Sequence, residues 1–124
     1  MNAHVETSPV ADEPALTVTA QLPAALAAGS AAAVVWWITN NGLEPVAANF
    51  YVRAAPALVQ VIGSSRGRTQ HGRYHGSATL LLEPRRPTRV HAMLEAPCGC
   101  GDVEVRVALV TSDDTVEATY VFPR

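Results

Sequence analysis

The stretch DVEVRVALVTSDDTVEATYVF, Asp102 to Phe122, decides the fold class. Apolar residues occupy nearly every second position on both sides of a short polar segment, Ser112-Asp113-Asp114. Because side chains of a β-strand alternate between its two faces, this period of two predicts two strands that each bury one face. Ser and Asp are favoured in turns, so the polar segment predicts the hairpin that joins these strands.

The same pattern extends over most of the chain toward the N-terminus. Turn signals recur at a spacing of about 8 to 12 residues, and no segment has the period of an amphipathic helix. The apolar segments between the turns are ALTVTAQL, AAAVVWWIT, AANFYVR, ALVQVI, SATLLL and TRVHAMLEA. We therefore predict an all-β, immunoglobulin-like β-sandwich of about eight antiparallel strands over residues 15–124. Residues 1–14 show no periodicity and are predicted to be an acidic N-terminal arm.

Composition limits the classes of function. A chain of 124 residues of which 48% are hydrophobic is enough for one domain with one core. The formal net charge is −2, whereas proteins that bind nucleic acid usually carry a strongly basic surface. We therefore do not expect a nucleic-acid partner. No apolar run approaches the roughly 20 residues that span a bilayer, and the N-terminus lacks the apolar run of a signal peptide. We expect cytoplasmic synthesis without a signal peptide and no membrane partner.

Several segments resemble a known family. They are Thr-Asn-Asn-Gly at 39–42, Glu-Pro-Val-Ala-Ala-Asn at 44–49, Ala-Pro-Ala-Leu-Val-Gln-Val-Ile-Gly-Ser-Ser at 55–65 and Gly-Ser-Ala-Thr-Leu-Leu-Leu-Glu-Pro at 76–84. These segments are similar to the Ig-like conserved repeats and cell-adhesion-related domains of bacterial and archaeal surface proteins. The resemblance covers residues 15–122. It implies a non-catalytic spacer, an adhesion module or a structural part.

The segment RGRTQHGRYHG, residues 66–76, interrupts the strand pattern and is predicted to be a long loop. If eight strands run up and down in sequence, this loop lies at the same end of the sandwich as the turns at 40–42 and 98–100. Four potential metal ligands then converge: His71, His75, Cys98 and Cys100. Two imidazoles and two thiolates are a suitable tetrahedral set for zinc. The spacings depart from the usual zinc pattern, and the alternative is that these residues only shape turns and no cofactor is bound.

A second interpretation of the same loop is a basic contact surface. Arg66, Arg68 and Arg73, together with His71 and His75, make a local positive patch beside Tyr74, and Arg forms bidentate hydrogen bonds with carboxylates and phosphates. A protein carboxylate is favoured over nucleic acid, because Tyr74 is the one aromatic residue in the loop. The acidic arm of another copy offers such carboxylates: Glu6, Asp12 and Glu13. The alternative is a disordered arm beside a mobile loop.

Two adjacent tryptophans are further candidates for partner contact. Trp36 and Trp37 are neighbours on a predicted strand, so their side chains point to opposite faces. One is expected to anchor the core, and the other to be an interface anchor or to be covered by the arm. The alternation of side chains along the strand also predicts that His91 faces away from the core, where we expect it to pair with Glu104 on a neighbouring strand.

These observations predict a structural or interaction protein. Neither a nucleophile with an adjacent base nor a pair of carboxylates across a cleft is found, so we expect no enzyme and no catalytic residue. The expected partners are other protein subunits, either further copies of the chain or a capsid lattice. The form we favour is a phage capsid decoration or minor structural protein on the virion surface. The alternatives are a surface-adhesion repeat of an exported protein and a small metal-binding protein that uses the His and Cys residues.

Overall fold

The computed structural model describes residues 2–6, 15–23, 29, 31–55, 57–65, 67–97 and 101–122. Within these residues the chain forms ten strands and no helix. The strands are β1 (Asn2–Glu6), β2 (Leu16–Gln21), β3 (Ala31–Asn40), β4 (Val46–Ala55), β5 (Leu58–Ser64), β6 (Arg68–His71), β7 (His75–Leu82), β8 (Thr88–Glu95), β9 (Val103–Val110) and β10 (Thr115–Phe122). No helix in the described part of the chain is long and apolar enough to cross a membrane.

The strands form two antiparallel sheets that enclose one core. The first sheet has the order β1-β2-β3-β8-β5, and the second has the order β10-β9-β4-β7-β6. The inward-facing side chains of both sheets are buried between them, with Trp36 and Phe50 at a ring-centroid distance of 5.2 Å. The predicted immunoglobulin-like β-sandwich is confirmed, with ten strands where about eight were predicted.

Two of the ten strands were not predicted. β1 lies within the predicted arm and pairs with β2, so Asn2–Glu6 are part of the first sheet. β6 lies within the predicted loop and pairs with β7 at the edge of the second sheet. Both are short edge strands, which are held by backbone hydrogen bonds and need no alternation of apolar and polar side chains. Their sequences therefore carry no strand signal.

The extra strand β6 changes which turns lie together. β3 ends beside the start of β2 and the start of β8, and we call this the first end of the sandwich. The turns at 41–45, 83–87 and 111–114 lie at this first end, whereas the β6–β7 turn and the β8–β9 connection lie at the second end. The prediction that the turn at 40–42 shares an end with residues 71–76 and 98–100 is wrong, because β6 reverses the direction of the chain once more.

Candidate protein-interaction surface

The predicted loop is an ordered hairpin, which we call the basic hairpin and define as residues 68–75. It consists of β6, a turn and the first residue of β7. The backbone amides of Ala54 in β4 and Val59 in β5 donate hydrogen bonds of 2.8 Å to the carbonyl oxygens of Tyr74 and Arg73. These bonds fix the turn to both sheets at the second end of the sandwich. Within the described residues 67–76 the predicted loop is therefore a hydrogen-bonded hairpin.

The basic hairpin presents its polar side chains to solvent. Arg68, Arg73 and His71 are exposed, and Tyr74 is 42% exposed. The one ion pair found within the described residues joins Arg106 to Glu104, so Arg68 and Arg73 have no carboxylate partner there. Both guanidinium groups are available to a partner. Arg66, predicted as part of the same surface, lies outside the described residues.

A second group of basic side chains lies beside the hairpin on the outer face of the second sheet. Arg53 lies directly opposite Arg106 on one side and opposite His75 on the other, and we call these three residues the arginine row. Tyr51 precedes the row on β4 and is 47% exposed. A shallow groove of about 270 Å³ runs along Tyr51, Arg53 and Arg106, with Glu117 on its far side. Arg53 points outward because its neighbour Val52 is buried, and the strand order brings it next to Arg106.

The predicted metal site is only partly described. His71 lies directly opposite Gly76, and Gly76 is on the inner face of the second sheet, next to the Ile62 side chain. His75 directly precedes Gly76 on β7, so it is on the outer face. The two imidazoles therefore lie on opposite faces of the second sheet. Cys98 and Cys100 lie outside the described residues, and no group of three or more His, Cys, Asp or Glu suited to a metal ion occurs within them. Zinc binding stays a prediction, and metal analysis of the purified chain tests it.

The two tryptophans divide as predicted between core and surface. Trp36 is fully buried against Phe50, so its assignment as a partner-contact residue is wrong. Trp37 is 40% exposed on the outer face of the first sheet, where it lies opposite Thr19 and Arg89. The strand β1 extends the edge of that sheet beyond β2. Trp37 remains a candidate contact residue.

His91 faces away from the core, as predicted, but its predicted partner is wrong. Glu104 belongs to the second sheet, where it accepts a hydrogen bond from the guanidinium of Arg106. His91 belongs to the first sheet, and its ring packs over the backbone of Gly63 on β5. The alternation of side chains along a strand predicts which face a residue is on, but it does not predict which sheet contains the strand.

An open cleft of about 770 Å³ lies at the first end of the sandwich. The β3–β4 and β9–β10 connections line it, and Glu44, Asp113 and Asp114 contribute carboxylates. The side-chain amide of Asn40 donates hydrogen bonds to the backbone carbonyl oxygens of Glu44 and Leu82, so these polar groups already have partners within the protein. The described lining includes neither a histidine nor a cysteine. The cleft is thus an acidic depression.

The segment that contains the acidic residues predicted as partner contacts begins at this first end. Glu6 is the last residue of β1 and its backbone lies opposite Thr17, close to the start of β2. Asp12 and Glu13 lie outside the described residues, in the connection 7–14 between β1 and β2. Both strands meet this connection at the first end of the sandwich, whereas the basic hairpin turns at the second end. The two surfaces predicted to attract each other therefore start from opposite ends of one chain.

No protein-family model and no curated protein sequence matches the chain. Among solved structures, AvmM, described as catalysing macrocyclization in alchivemycin A biosynthesis, is similar with a TM-score of 0.57 and 11% identity, over 89% of each chain. A family 123 glycoside hydrolase from Clostridium perfringens is similar with a TM-score of 0.54 and 11% identity. That match covers 80% of this chain but only 22% of the hydrolase. The GAE domain of yeast GGA1 is matched with a TM-score of 0.46 and 13% identity, over 100% of this chain and 98% of the domain.

The comparison with AvmM corrects the expectation that the chain is no enzyme. That expectation rested in part on treating small sandwiches of this kind as spacers and structural parts. AvmM has a similar fold over nearly its whole length and is described as a catalyst. The fold therefore gives no ground for excluding catalysis. At 11% identity the similarity establishes the fold and transfers no residue role.

Proposed function

We propose that the chain is a protein-interaction module that binds an acidic surface of another protein subunit through the basic hairpin and the arginine row. The placement of Arg53 directly opposite Arg106 carries this proposal. Like charges opposite each other on adjacent strands destabilise a sheet, and the Glu104 carboxylate pairs with Arg106 but not with Arg53. Arg53 thus has no carboxylate partner within the described residues, and an anionic partner would form charge-assisted hydrogen bonds with its guanidinium group.

The aromatic residues near these arginines support the same proposal. Tyr51 and Tyr74 are each more than 40% exposed, at the groove and at the turn of the basic hairpin. Tyr and Arg are enriched among the residues that dominate binding energy at protein interfaces. The hairpin is also fixed to both sheets by backbone hydrogen bonds, so binding does not require ordering a free loop.

A second copy of the chain is the partner that we favour. Residues 6–13 contain three carboxylates, Glu6, Asp12 and Glu13, and no basic residue. Because this segment and the basic hairpin start from opposite ends of the sandwich, we infer a head-to-tail contact between copies. Such contacts form rings or open filaments, as an assembly component would require. Two narrower hypotheses name the assembly: a phage capsid lattice, or an array of surface-adhesion repeats of an exported protein.

Light scattering coupled to size exclusion tests this proposal. The charge-reversal pair Arg68→Glu/Arg73→Glu is compared with the wild-type chain and with Arg86→Glu/Arg89→Glu, which changes the same charge away from the hairpin. We expect a wild-type mass that rises with concentration, a lower mass for the hairpin variant and no change for the control. Equal masses for the wild type and the hairpin variant would refute the proposal. Deletion of residues 1–14 is not a clean test, because it removes the strand β1.

A further inference from the structure

We propose that the free edge of β10 pairs antiparallel with β10 of a second copy and so joins two second sheets into one continuous sheet. This contact is separate from the basic hairpin, because β10 and β6 lie at opposite edges of the second sheet. Within the described residues β10 pairs only with β9. β1 lies beside β10 but is hydrogen-bonded to β2 in the first sheet.

A comparison of the four edge strands identifies β10 as the one open to pairing. Natural sheets protect their edges with short strands, bulges, charged side chains or proline, and β10 carries one charged side chain, Glu117. β1 has five residues, and β6 has four residues that begin with Arg68. β5 is interrupted by an irregularity between Val59 and Val61. β10 has eight residues in unbroken register with β9, and its sequence TVEATYVF contains no Pro, Lys or Arg.

The hydrogen-bond pattern shows which backbone groups of β10 face this edge. The amide of Thr111 donates to the carbonyl oxygen of Asp114 at 2.9 Å, so these two residues form a hydrogen-bonded pair at the turn. In antiparallel strands such pairs alternate with non-bonded pairs. The even-numbered residues of β10 therefore bond to β9. The odd-numbered residues direct their backbone groups to the free edge: Thr115, Glu117, Thr119 and Val121.

Of the possible antiparallel registers between β10 strands of two copies, one forms the most hydrogen bonds with these edge groups. With Ala118 opposite Ala118 of the second copy, Glu117 lies opposite Thr119 and Thr115 lies opposite Val121. All four outward residues then pair, which gives about eight hydrogen bonds between the copies. A shift by two residues in either direction loses one pair, and one of these shifts places Glu117 opposite itself. Two-fold symmetry and backbone pairing thus favour the same register.

Charge supports this register. Thr119 lies directly opposite Arg106, so the outer row across the joined sheet reads Arg53, Arg106, Thr119 and then Glu117 of the second copy. The carboxylate of the second copy would lie two strands from Arg106, on the same face, with Thr119 between them. The exposed side chain of Val121, which is 54% accessible, would be covered by Thr115 of the second copy. A second copy of this chain is therefore the occupant that we assign to the edge.

The substitution Thr119→Pro tests the pairing directly. Proline removes the edge-facing amide of residue 119 without removing a hydrogen bond to β9. The matched control Thr119→Val keeps the amide and the branched side chain. In the Arg68→Glu/Arg73→Glu background, which lacks the proposed head-to-tail contact, we expect the parent chain and Thr119→Val to form a species of twice the chain mass of 13.1 kDa by light scattering, and Thr119→Pro to lose it. A parent chain that stays monomeric, or a folded Thr119→Pro chain that still dimerises, would overturn the proposal.

Amide hydrogen exchange keeps the test decisive if the proline variant fails to fold. In the wild type we expect the amides of Glu117, Thr119 and Val121 to be protected at high concentration and to exchange at least tenfold faster on dilution. The amides of Val116, Ala118 and Tyr120 bond to β9 and should not change. A second variant, Val121→Lys, should abolish the concentration dependence by placing a charge at the edge. Concentration-independent exchange at residues 117, 119 and 121 contradicts the pairing, whatever the charge reversal of the basic hairpin does.

Discussion

At the residue scale, Asn40 connects three parts of the first end of the sandwich. Its side chain is buried, and its amide nitrogen donates to the carbonyl oxygens of Glu44 at 2.7 Å and Leu82 at 2.9 Å. Its side-chain oxygen accepts a hydrogen bond of 2.9 Å from the amide of Gly42. A buried polar group without a partner costs more than a hydrogen bond contributes, so the effect of losing this side chain is large.

We predict that Asn40→Ala lowers the free energy of unfolding by about 3 kcal/mol, because it removes partners from three backbone groups at once. Urea denaturation measures the change. The matched control is Asn49→Ala, since Asn49 is exposed and accepts one long hydrogen bond of 3.3 Å from Thr79. The control should cost no more than about 0.5 kcal/mol. Similar losses for the two variants would show that the Asn40 amide does not hold the end together.

Tyr120 is a second residue with an unusual environment. It is 8% exposed, and burial raises the pKa of its hydroxyl above the ordinary value of 10.0, an effect that the nearby Trp36 side chain partly offsets. Neither the Tyr120 hydroxyl nor the Trp36 indole nitrogen has a hydrogen bond of ordinary geometry. The folded state therefore resists ionisation of this hydroxyl, whereas the unfolded chain ionises freely above about pH 10.

The sign of the pH dependence follows from the raised pKa. Stability from this group is complete below about pH 10 and falls as the pH rises further, because ionisation then favours the unfolded chain. We predict that Tyr120→Phe changes stability by less than about 1 kcal/mol at pH 7. It should also reduce the fall in melting temperature between pH 8 and pH 11, measured by circular dichroism. An equal fall in the wild type and in Tyr120→Phe would contradict this assignment, and Tyr74→Phe is the exposed control.

At the element scale, the crossing from β5 to β6 carries the chain from the first sheet to the second. Gly67 lies in this crossing with a φ of 103°, a conformation that residues with a side chain rarely adopt. A Cβ atom at this position would lie 2.0 Å from the backbone carbonyl oxygen of Thr79. The crossing therefore depends on glycine for both its conformation and its close contact with β7.

We predict that Gly67→Ala destabilises the fold by about 3 kcal/mol, because the new methyl group meets rigid backbone in a strained conformation. The control is Gly101→Ala, where an added Cβ would meet no heavy atom within 4 Å. That control should stay within about 0.5 kcal/mol of the wild type. Thermal and urea unfolding measure both changes. A Gly67→Ala chain as stable as the control would show that the crossing tolerates a side chain.

Strands with two distinct faces could be predicted from the sequence, and edge strands could not. The alternation of apolar and polar residues in Val103–Val110 and Thr115–Phe122 predicted both strands and their buried side chains. A strand that buries one face needs an apolar residue at every second position. β6 consists of four exposed residues and has no such period. Missing it reversed the predicted end of every later turn. The arginine row could not be predicted, since it depends on the order of strands within a sheet, which periodicity does not contain.

At the scale of the whole molecule, the sandwich separates its candidate contact surfaces. The acidic connection at 7–14 begins and ends at the first end, the basic hairpin turns at the second end, and the free edge of β10 lies across the second sheet from β6. The basic hairpin and the β10 edge lie at opposite edges of the second sheet, with the arginine row between them. The two proposed associations, head-to-tail and edge-to-edge, can therefore be tested independently and would together build an extended assembly.

The most direct test of the interaction proposal is a charge exchange between copies, made in the Thr119→Pro background so that β10 pairing does not contribute. One chain carries Arg68→Glu/Arg73→Glu, and the other carries Asp12→Arg/Glu13→Arg. We predict by sedimentation velocity that each variant alone is monomeric and that an equimolar mixture associates into species of alternating chains, because only the mixture restores opposite charges at the contact. A mixture that sediments as two monomers, alongside a parent chain that associates, would contradict the proposed contact between the acidic connection and the basic hairpin.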